Sequence, residues 1–212
     1  VLKKRRDNVK GADVVWGVDG SAVFYSKDLN NDGTIDSSAG DKLYLYFGLR
    51  RGGKAYYALD VSNPDSPTLL WKIDKATTGF GELGQTWSSP VITYIPGHVD
   101  GAGKPKPVLV FGGGYDVGKD STTAVAGDDS EGRGIFIVDA ATGALVWSVT
   151  PANNSGTNMK SADLKHSIPA QLTVLDSNGD GLIDRMYATD TGGNIWRLDL
   201  PGNRRLARAV DA

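Results

Sequence analysis

The sequence contains no cysteine, only two histidines and two methionines, and no apolar run long enough to span a bilayer. Without cysteine there are no disulfides, no thiolate zinc site and no cysteine nucleophile, although the compartment stays open. Charge of one sign is also missing. The formal net charge of −2 provides neither the basic footprint of a nucleic-acid binder nor a polyacid. Helical periodicity is almost absent. The chain starts Val1-Leu-Lys-Lys-Arg-Arg, with no initiator Met and no apolar leader core, and so reads as an excised segment whose targeting signal would lie elsewhere.

What is present is an ordinary soluble composition, 40% hydrophobic and 23% charged, over 212 residues, enough for one large domain or two small ones. Short runs rich in Val, Ile, Tyr, Phe and Trp alternate with Gly, Asn, Asp and Pro, the mark of antiparallel hairpins. They group into units of roughly 70–80 residues. The first holds strands at Asp13–Ser26, Lys42–Leu49, Ala55–Asp60 and Thr68–Ile73. The second holds Trp87–Ile95, Pro107–Gly112, Gly134–Asp139 and Ala144–Val149. The third holds Ser167–Pro169 with Leu172–Leu175, then Arg185–Thr189 and Asn194–Asp199.

Repeated four-stranded antiparallel units predict an all-β fold, a β-propeller with blades at about 13–75, 85–150 and 167–212. Closed propellers typically have four to eight blades, so about three are expected to be part of a larger ring. Two polar stretches, Tyr115–Arg133 and Pro151–Lys165, read as mobile surface loops. The basic tail Arg204-Arg205-Leu-Ala-Arg208 reads as a solvated end or the start of another strand.

The chemistry concentrates in one phrase that occurs twice. Asp176-Ser-Asn178-Gly-Asp180-Gly-Leu182-Ile-Asp184 places side-chain oxygens at positions 1, 3, 5 and 9, a glycine at 6 and a backbone carbonyl, from Leu182, at 7. Asp28-Leu-Asn30-Asn-Asp32-Gly-Thr34-Ile-Asp36 repeats that spacing, with Thr34 at position 7. Calcium takes six to eight hard oxygens, and Asp or Asn at every second position turns its side chain inward while glycine permits the sharp bend. Neither loop is an EF-hand, because position 12 is Ala39 in one and Tyr187 in the other, and strands flank both. The position-9 carboxylates, Asp36 and Asp184, are therefore expected to close the sites. Three carboxylates and one amide suit the micromolar-to-millimolar range of sensors and extracellular modules. Magnesium, with its tighter octahedral geometry and retained waters, suits them less. The alternative is two polar hairpin loops built of Asx turns, with no metal at all. The corresponding loop of the middle unit, His98-Val-Asp-Gly-Ala-Gly103, has lost the ladder.

Other motifs carry less. Gly79-Phe-Gly81-Glu-Leu-Gly84 spells a dinucleotide fingerprint, but Thr86-Trp-Ser-Ser-Pro90 follows it in place of a helix. Gly113–Asp120 nearly spells a P-loop, with Asp120 where a magnesium-binding hydroxyl belongs. His98 and His166 show no partner pattern and read as loop residues. Trp71, Trp147 and Trp196 recur at equivalent positions late in their units and read as inter-blade packing.

Phe47-Gly-Leu-Arg-Arg-Gly-Gly-Lys-Ala-Tyr-Tyr-Ala-Leu-Asp60, Gly84-Gln-Thr-Trp-Ser-Ser-Pro90 and Val110-Phe-Gly-Gly-Gly-Tyr-Asp116 resemble the C-terminal propeller of type IV pilus tip-associated proteins, the PilY/PilC family. Asp176–Asp184, with Tyr187–Asp199 after it, is similar to that family's calcium loop and the strands that follow. The resemblance runs from about Trp16 to Leu200. It implies Asp176, Asn178, Asp180, the Leu182 carbonyl and Asp184 as Ca2+ ligands, and leaves Asp28–Asp36 resting on spacing alone. It further implies a pilus-tip or outer-membrane-surface location and a larger parent protein. The expected roles are pilus biogenesis, twitching motility and adhesion, with calcium-dependent control of extension against retraction. Minor pilins and host or surface receptors are the implied partners, and no catalytic activity is expected. Val138-Asp-Ala-Ala-Thr-Gly-Ala-Leu-Val-Trp147 separately resembles the repeat of quinoprotein dehydrogenase propellers. The alternative this raises, a propeller oxidoreductase, lacks the adjacent-cysteine pair of the alcohol-oxidising members.

Overall fold

The computed structural model describes residues 16–121, 127–152, 158–200 and 205–210. Strands form where the apolar residues alternate, and they assemble into three sheets. The first joins β1 (Val23–Lys27), β2 (Lys42–Gly48), β3 (Ala55–Asp60) and β4 (Thr68–Asp74) in sequence order. The second joins β5 (Val91–Thr93), β6 (Val108–Gly112), β7 (Ile135–Asp139), β8 (Leu145–Thr150) and β9 (Asn158–Lys160). The third joins β10 (Thr173–Leu175), β11 (Arg185–Thr189), β12 (Ile195–Asp199) and β13 (Arg205–Val210). Every pairing is antiparallel except β8 with β9, which is parallel. The fold is all-β, three blades of a β-propeller.

The middle sheet explains how the blades hold together. All of β6 and β7 is buried, because each face of this sheet meets a neighbour. Leu109, Phe111, Phe136 and Val138 join a core with Tyr46, Tyr56, Ala58, Trp71 and Ile73 of the first sheet. The alternate residues Val108, Val110, Ile135 and Ile137 join a core with Met186, Ala188, Trp196 and Leu198 of the third. A period of two thus supplies two separate cores from one pair of strands. The outer face of the first sheet also carries an apolar row, in which Phe24 lies opposite Leu45, Leu45 opposite Leu59 and Leu59 opposite Leu69.

Several expectations need correction. The first strand begins at Val23, not Asp13; Asp13–Val15 lie outside the described residues. Of the two readings of the basic tail, the start of another strand holds: Arg205–Val210 form β13, which pairs with β12, so the third blade has four strands. The 151–165 stretch contributes β9 and the fully buried Leu164, so it is anchored there, while Ala162, Asp163 and Lys165 stay exposed. The 115–133 stretch is likewise anchored on both sides of residues 122–126, which are outside the description. Asp116, Asp129 and Glu131 are all buried there. Glu131 pairs with Lys54 and Lys75, and Asp129 pairs with Lys119 while accepting the Ser167 N–H at 2.7 Å. This segment ties the first blade to the second and the second to the third.

The tryptophans are not equivalent. Trp71 and Trp147 sit in the fourth strands of their blades, but Trp196 sits in the third strand of its own. Trp71 crosses between blades, its indole N–H donating to Ala140 O at 3.0 Å. Gly143 has φ +70°, and a Cβ there would lie 2.8 Å from the Trp71 ring. Gly143→Ala should therefore destabilise by about 2–3 kcal/mol, combining left-handed strain with overpacking. Thermal unfolding beside Gly97→Ala isolates the clash, because Gly97 has φ +79° but open space at its Cβ. Equal losses for the two variants would refute the inter-blade contact.

Candidate metal loops

Both acidic loops connect the first and second strands of their sheets: residues 28–36 follow β1 and residues 176–184 follow β10. Their internal bonding is the same, position for position. Asp28 accepts the N–H groups of Asn31 and Gly33 at 2.7 and 2.8 Å, and Asp176 accepts those of Gly179 and Gly181, both at 2.8 Å. Asn30 Oδ1 accepts the Asp32 N–H at 3.1 Å, and Asn178 Oδ1 accepts that of Asp180 at 3.0 Å. Asp32 and Asp180 accept the N–H groups of Thr34 and Leu182, both at 2.8 Å. Gly33 (φ +81°) and Gly181 (φ +84°) make the bend at position 6, a left-handed conformation that a Cβ would strain. Asn31 (φ 56°) and Gly179 (φ 76°) do the same at position 4, and Asn is among the few side chains that tolerate it.

The loops part company at position 9. Asp184 folds back over its own loop, where Oδ2 accepts both the N–H and the hydroxyl of Ser177. Asp36 faces forward instead, accepting the Ser38 N–H at 2.8 Å and capping a short 3-10 turn, Ser37–Ala39. Hydrogen bonds from Ser38 hold the Asp36 carboxyl below the ordinary carboxylate range, and those from Ser177 do the same for Asp184. The group that reaches back over the first loop is Asp41, to which the spacing drew no attention. It is fully buried, and its Oδ1 accepts the Leu29 N–H at 2.9 Å while its Oδ2 accepts the Asp36 N–H at 3.0 Å.

The donor set suits a hard cation. All the ladder groups are oxygens, and among the described residues no Lys or Arg forms an ion pair with Asp28, Asp32, Asp36, Asp176, Asp180 or Asp184. The carbonyls of Thr34 and Leu182 accept no hydrogen bond from another described residue. A carboxylate bonded to an N–H retains further lone pairs. Among the described residues, however, no three His, Cys, Asp or Glu side chains are gathered into a ready cage. The carboxylates are turned onto loop N–H groups.

The second loop is also docked onto the neighbouring blade. Ile183 is buried and its N–H donates to Tyr94 O at 3.0 Å, next to an open groove lined by Tyr94, Pro105, Asp180, Gly181 and Leu182.

Elsewhere, the dinucleotide-like run Gly79–Gly84 is a turn with Leu83 buried, and Gly113–Asp120 leads into the short 3-10 turn Val117–Asp120. His98, which no sequence pattern paired, has a partner. Its Nε2 lies 2.9 Å from Asp139 Oδ2, which also meets Lys106. His166 packs against Gly192, where a Cβ would sit 2.0 Å from the ring.

Comparison with known proteins places this architecture. A family model described as the PilY1 beta-propeller domain matches residues 3–208. The type IV pilus biogenesis factor PilY1 of Pseudomonas aeruginosa strain UCBPP-PA14 is 30% identical over 157 residues, covering 74% of this chain and 11% of that protein. A PilY1 homolog of Xylella fastidiosa strain Temecula1 is 28% identical over 181 residues, 83% of this chain and 11% of the homolog. The crystal structure of the P. aeruginosa PilY1 C-terminal domain superposes with a TM-score of 0.57 at 28% identity. That match covers 86% of this chain and 30% of the solved one. The chain thus spans about a tenth of the length of these curated relatives.

Proposed function

The chain belongs to the PilY1 β-propeller family, and on that premise we propose that it is a calcium-binding propeller segment of a type IV pilus biogenesis factor. One observation carries the calcium reading: the two loops share one internal bonding scheme at the same strand connection of two blades. In the second loop Asp176, Asn178, Asp180, the Leu182 carbonyl and Asp184 hold the ion. In the first, Asp28, Asn30, Asp32 and the Thr34 carbonyl do so, with Asp36 at the ninth position.

When bound, calcium supplies two positive charges that offset the mutual repulsion of the loop carboxylates. The rest is the work of the chain's own residues. Asp176 and Asp180 keep the loop curled through its N–H groups, and Asp184 draws its two ends together. Ile183 fastens the loop to Tyr94, so loop order passes to the groove beside it. A partner that recognises this surface would then bind according to free calcium, by linkage. The reading extends to pilus components such as minor pilins, to surface receptors, and to an extracellular position at the pilus tip. There the segment would bias extension against retraction, and so twitching and attachment. No catalytic role is proposed; the curated relatives are named as biogenesis factors.

Calorimetry tests the assignment. Asp184→Ala should weaken calcium uptake at the second loop by more than about tenfold, since even outer-shell partners of a metal are worth that much. Calcium should also raise the melting temperature of the unaltered protein. Unchanged uptake by the variant would sink the ligand assignment.

A further inference from the structure

The two loops end differently because residues 37–41 are extra in the first. In the second loop Asp184 is followed directly by β11 at Arg185; in the first, Asp41 is followed directly by β2 at Lys42. Counted from the strand, Asp41 is the counterpart of Asp184, and both accept the N–H at loop position 2, from Leu29 and Ser177 respectively. Asp36, the ninth residue by spacing, is carried outward into the 3-10 turn.

The counterparts are not chemically equal. Asp184 is half-buried, and its carboxylate holds one short stretch at the exposed start of its loop, through the N–H and hydroxyl of Ser177 and the N–H of Asn178. Asp41 has no exposed surface and uses both oxygens on backbone N–H groups at opposite ends of its loop, Leu29 and Asp36. Charge-assisted bonds of this kind are about twice as strong as neutral ones, and a buried one does not exchange with water. The Asp41 N–H in turn donates to Asp36 O at 3.2 Å, so the two residues grip each other.

We propose that Asp41 is a positioning residue, an internal latch that closes the first loop without a cation, whereas the second loop, whose closing carboxylate Asp184 is partly exposed and bonds only the start of the loop, is the one whose closure responds to calcium. The latch stands on geometry alone; the response of the second loop rests on the calcium reading above. The loops then divide the work. The first is a corner of its blade that is formed before any ion enters it, and the second is the one that the ion orders.

Residue-resolved hydrogen exchange on the whole chain, in chelator and in calcium, tests this. In chelator the Leu29 and Asp36 amides should already be protected, and calcium should leave them unchanged while slowing exchange at Ser177. Asp41→Asn, which loses one acceptor oxygen, should speed exchange at Leu29 or Asp36 by about tenfold to a hundredfold. Asp36→Asn should leave the Leu29 amide as it was. Unprotected Leu29 and Asp36 amides in chelator would overturn the latch, as would an Asp41→Asn variant that exchanges like the parent. Should Asp41→Asn not fold, the chelator rates of the parent and of Asp36→Asn decide the matter. A Ser177 amide indifferent to calcium would overturn the second half of the proposal and count against the calcium reading, while the chelator rates still judge the latch.

Discussion

Phe111→Ala should lower stability by about 3–5 kcal/mol, the cost of emptying a large aromatic site in a close-packed core. Phe111 is fully buried in the interface between the first and second blades. Its ring centroid lies 4.3 Å from that of Tyr56 and 5.8 Å from that of Phe136. Tyr56 cannot close the gap, because its hydroxyl donates to Ser88 O at 2.6 Å and anchors the ring at its far end. For a chain of this size the loss corresponds to a melting temperature lower by about 6–20 °C. Phe24 provides the contrast. It is 66% exposed on the outer face of the first sheet, and its replacement by Ala should stay within about 0.5 kcal/mol. Thermal and denaturant unfolding of the two variants would decide, and a Phe111→Ala loss below about 1 kcal/mol would mean that blades one and two do not share a core.

Asp139→Ala is the second large effect expected, again about 3–5 kcal/mol, because it leaves buried donors and a cation without their acceptor. Asp139 is 3% exposed at the end of β7. Its Oδ1 accepts the N–H groups of Ala141 and Thr142 at 3.1 and 2.9 Å and the Thr142 hydroxyl at 2.9 Å. Its Oδ2 meets Lys106 and His98 Nε2 from the loop between β5 and β6. An ionised carboxylate can only accept, so His98 donates from Nε2.

Burial works to raise the Asp139 carboxyl, but the hydrogen bonds from Lys106, Thr142 and His98 outweigh it and bring the pKa down to about 2. A carboxylate depressed in the folded state stabilises above its unfolded pKa of ~3.9 and loses that contribution as pH falls through its folded value. The amount at stake is on the order of 2 kcal/mol. Stability by denaturant titration should therefore hold steady near neutrality and decline between about pH 4 and pH 2, with a shallower decline in Asp139→Asn. An identical acid decline in parent and variant would remove Asp139 from the account.

The apolar strands were legible because burial and period coincide. β3, β6, β7 and β12 lie within a residue of where alternation and turn residues put them. β9 was not, and β13 was only one of two readings of the tail. β9 is three residues long, Asn158–Lys160, too short for any period to show. β13, Arg205–Val210, mixes arginine and alanine, and its membership of the sheet comes from backbone bonds to β12 that side-chain pattern does not encode. The likening of Trp196 to Trp71 and Trp147 failed for a related reason: a tryptophan followed by a polar and then an apolar residue looks alike in third and fourth strands, and only strand pairing distinguishes them.

The acidic loops divide along the same line. Within nine residues, carboxylates and amides bond to N–H groups two to five positions away, so the curl of each loop is a local property that the sequence determined alone. Its repetition, hydrogen bond for hydrogen bond, follows from repeating the residues. Which carboxylate closes each loop is not local. The five residues 37–41 move the closing role from Asp36 to Asp41, through bonds to Leu29 twelve positions back and to Asp36 five positions back. Only the tertiary structure brings the start of β2 against the end of β1, and only it sets His98 beside Asp139 across 41 positions. Interactions shorter than a turn were written in the order of the residues. Those that needed two strands to meet were decided by the packing of the blades.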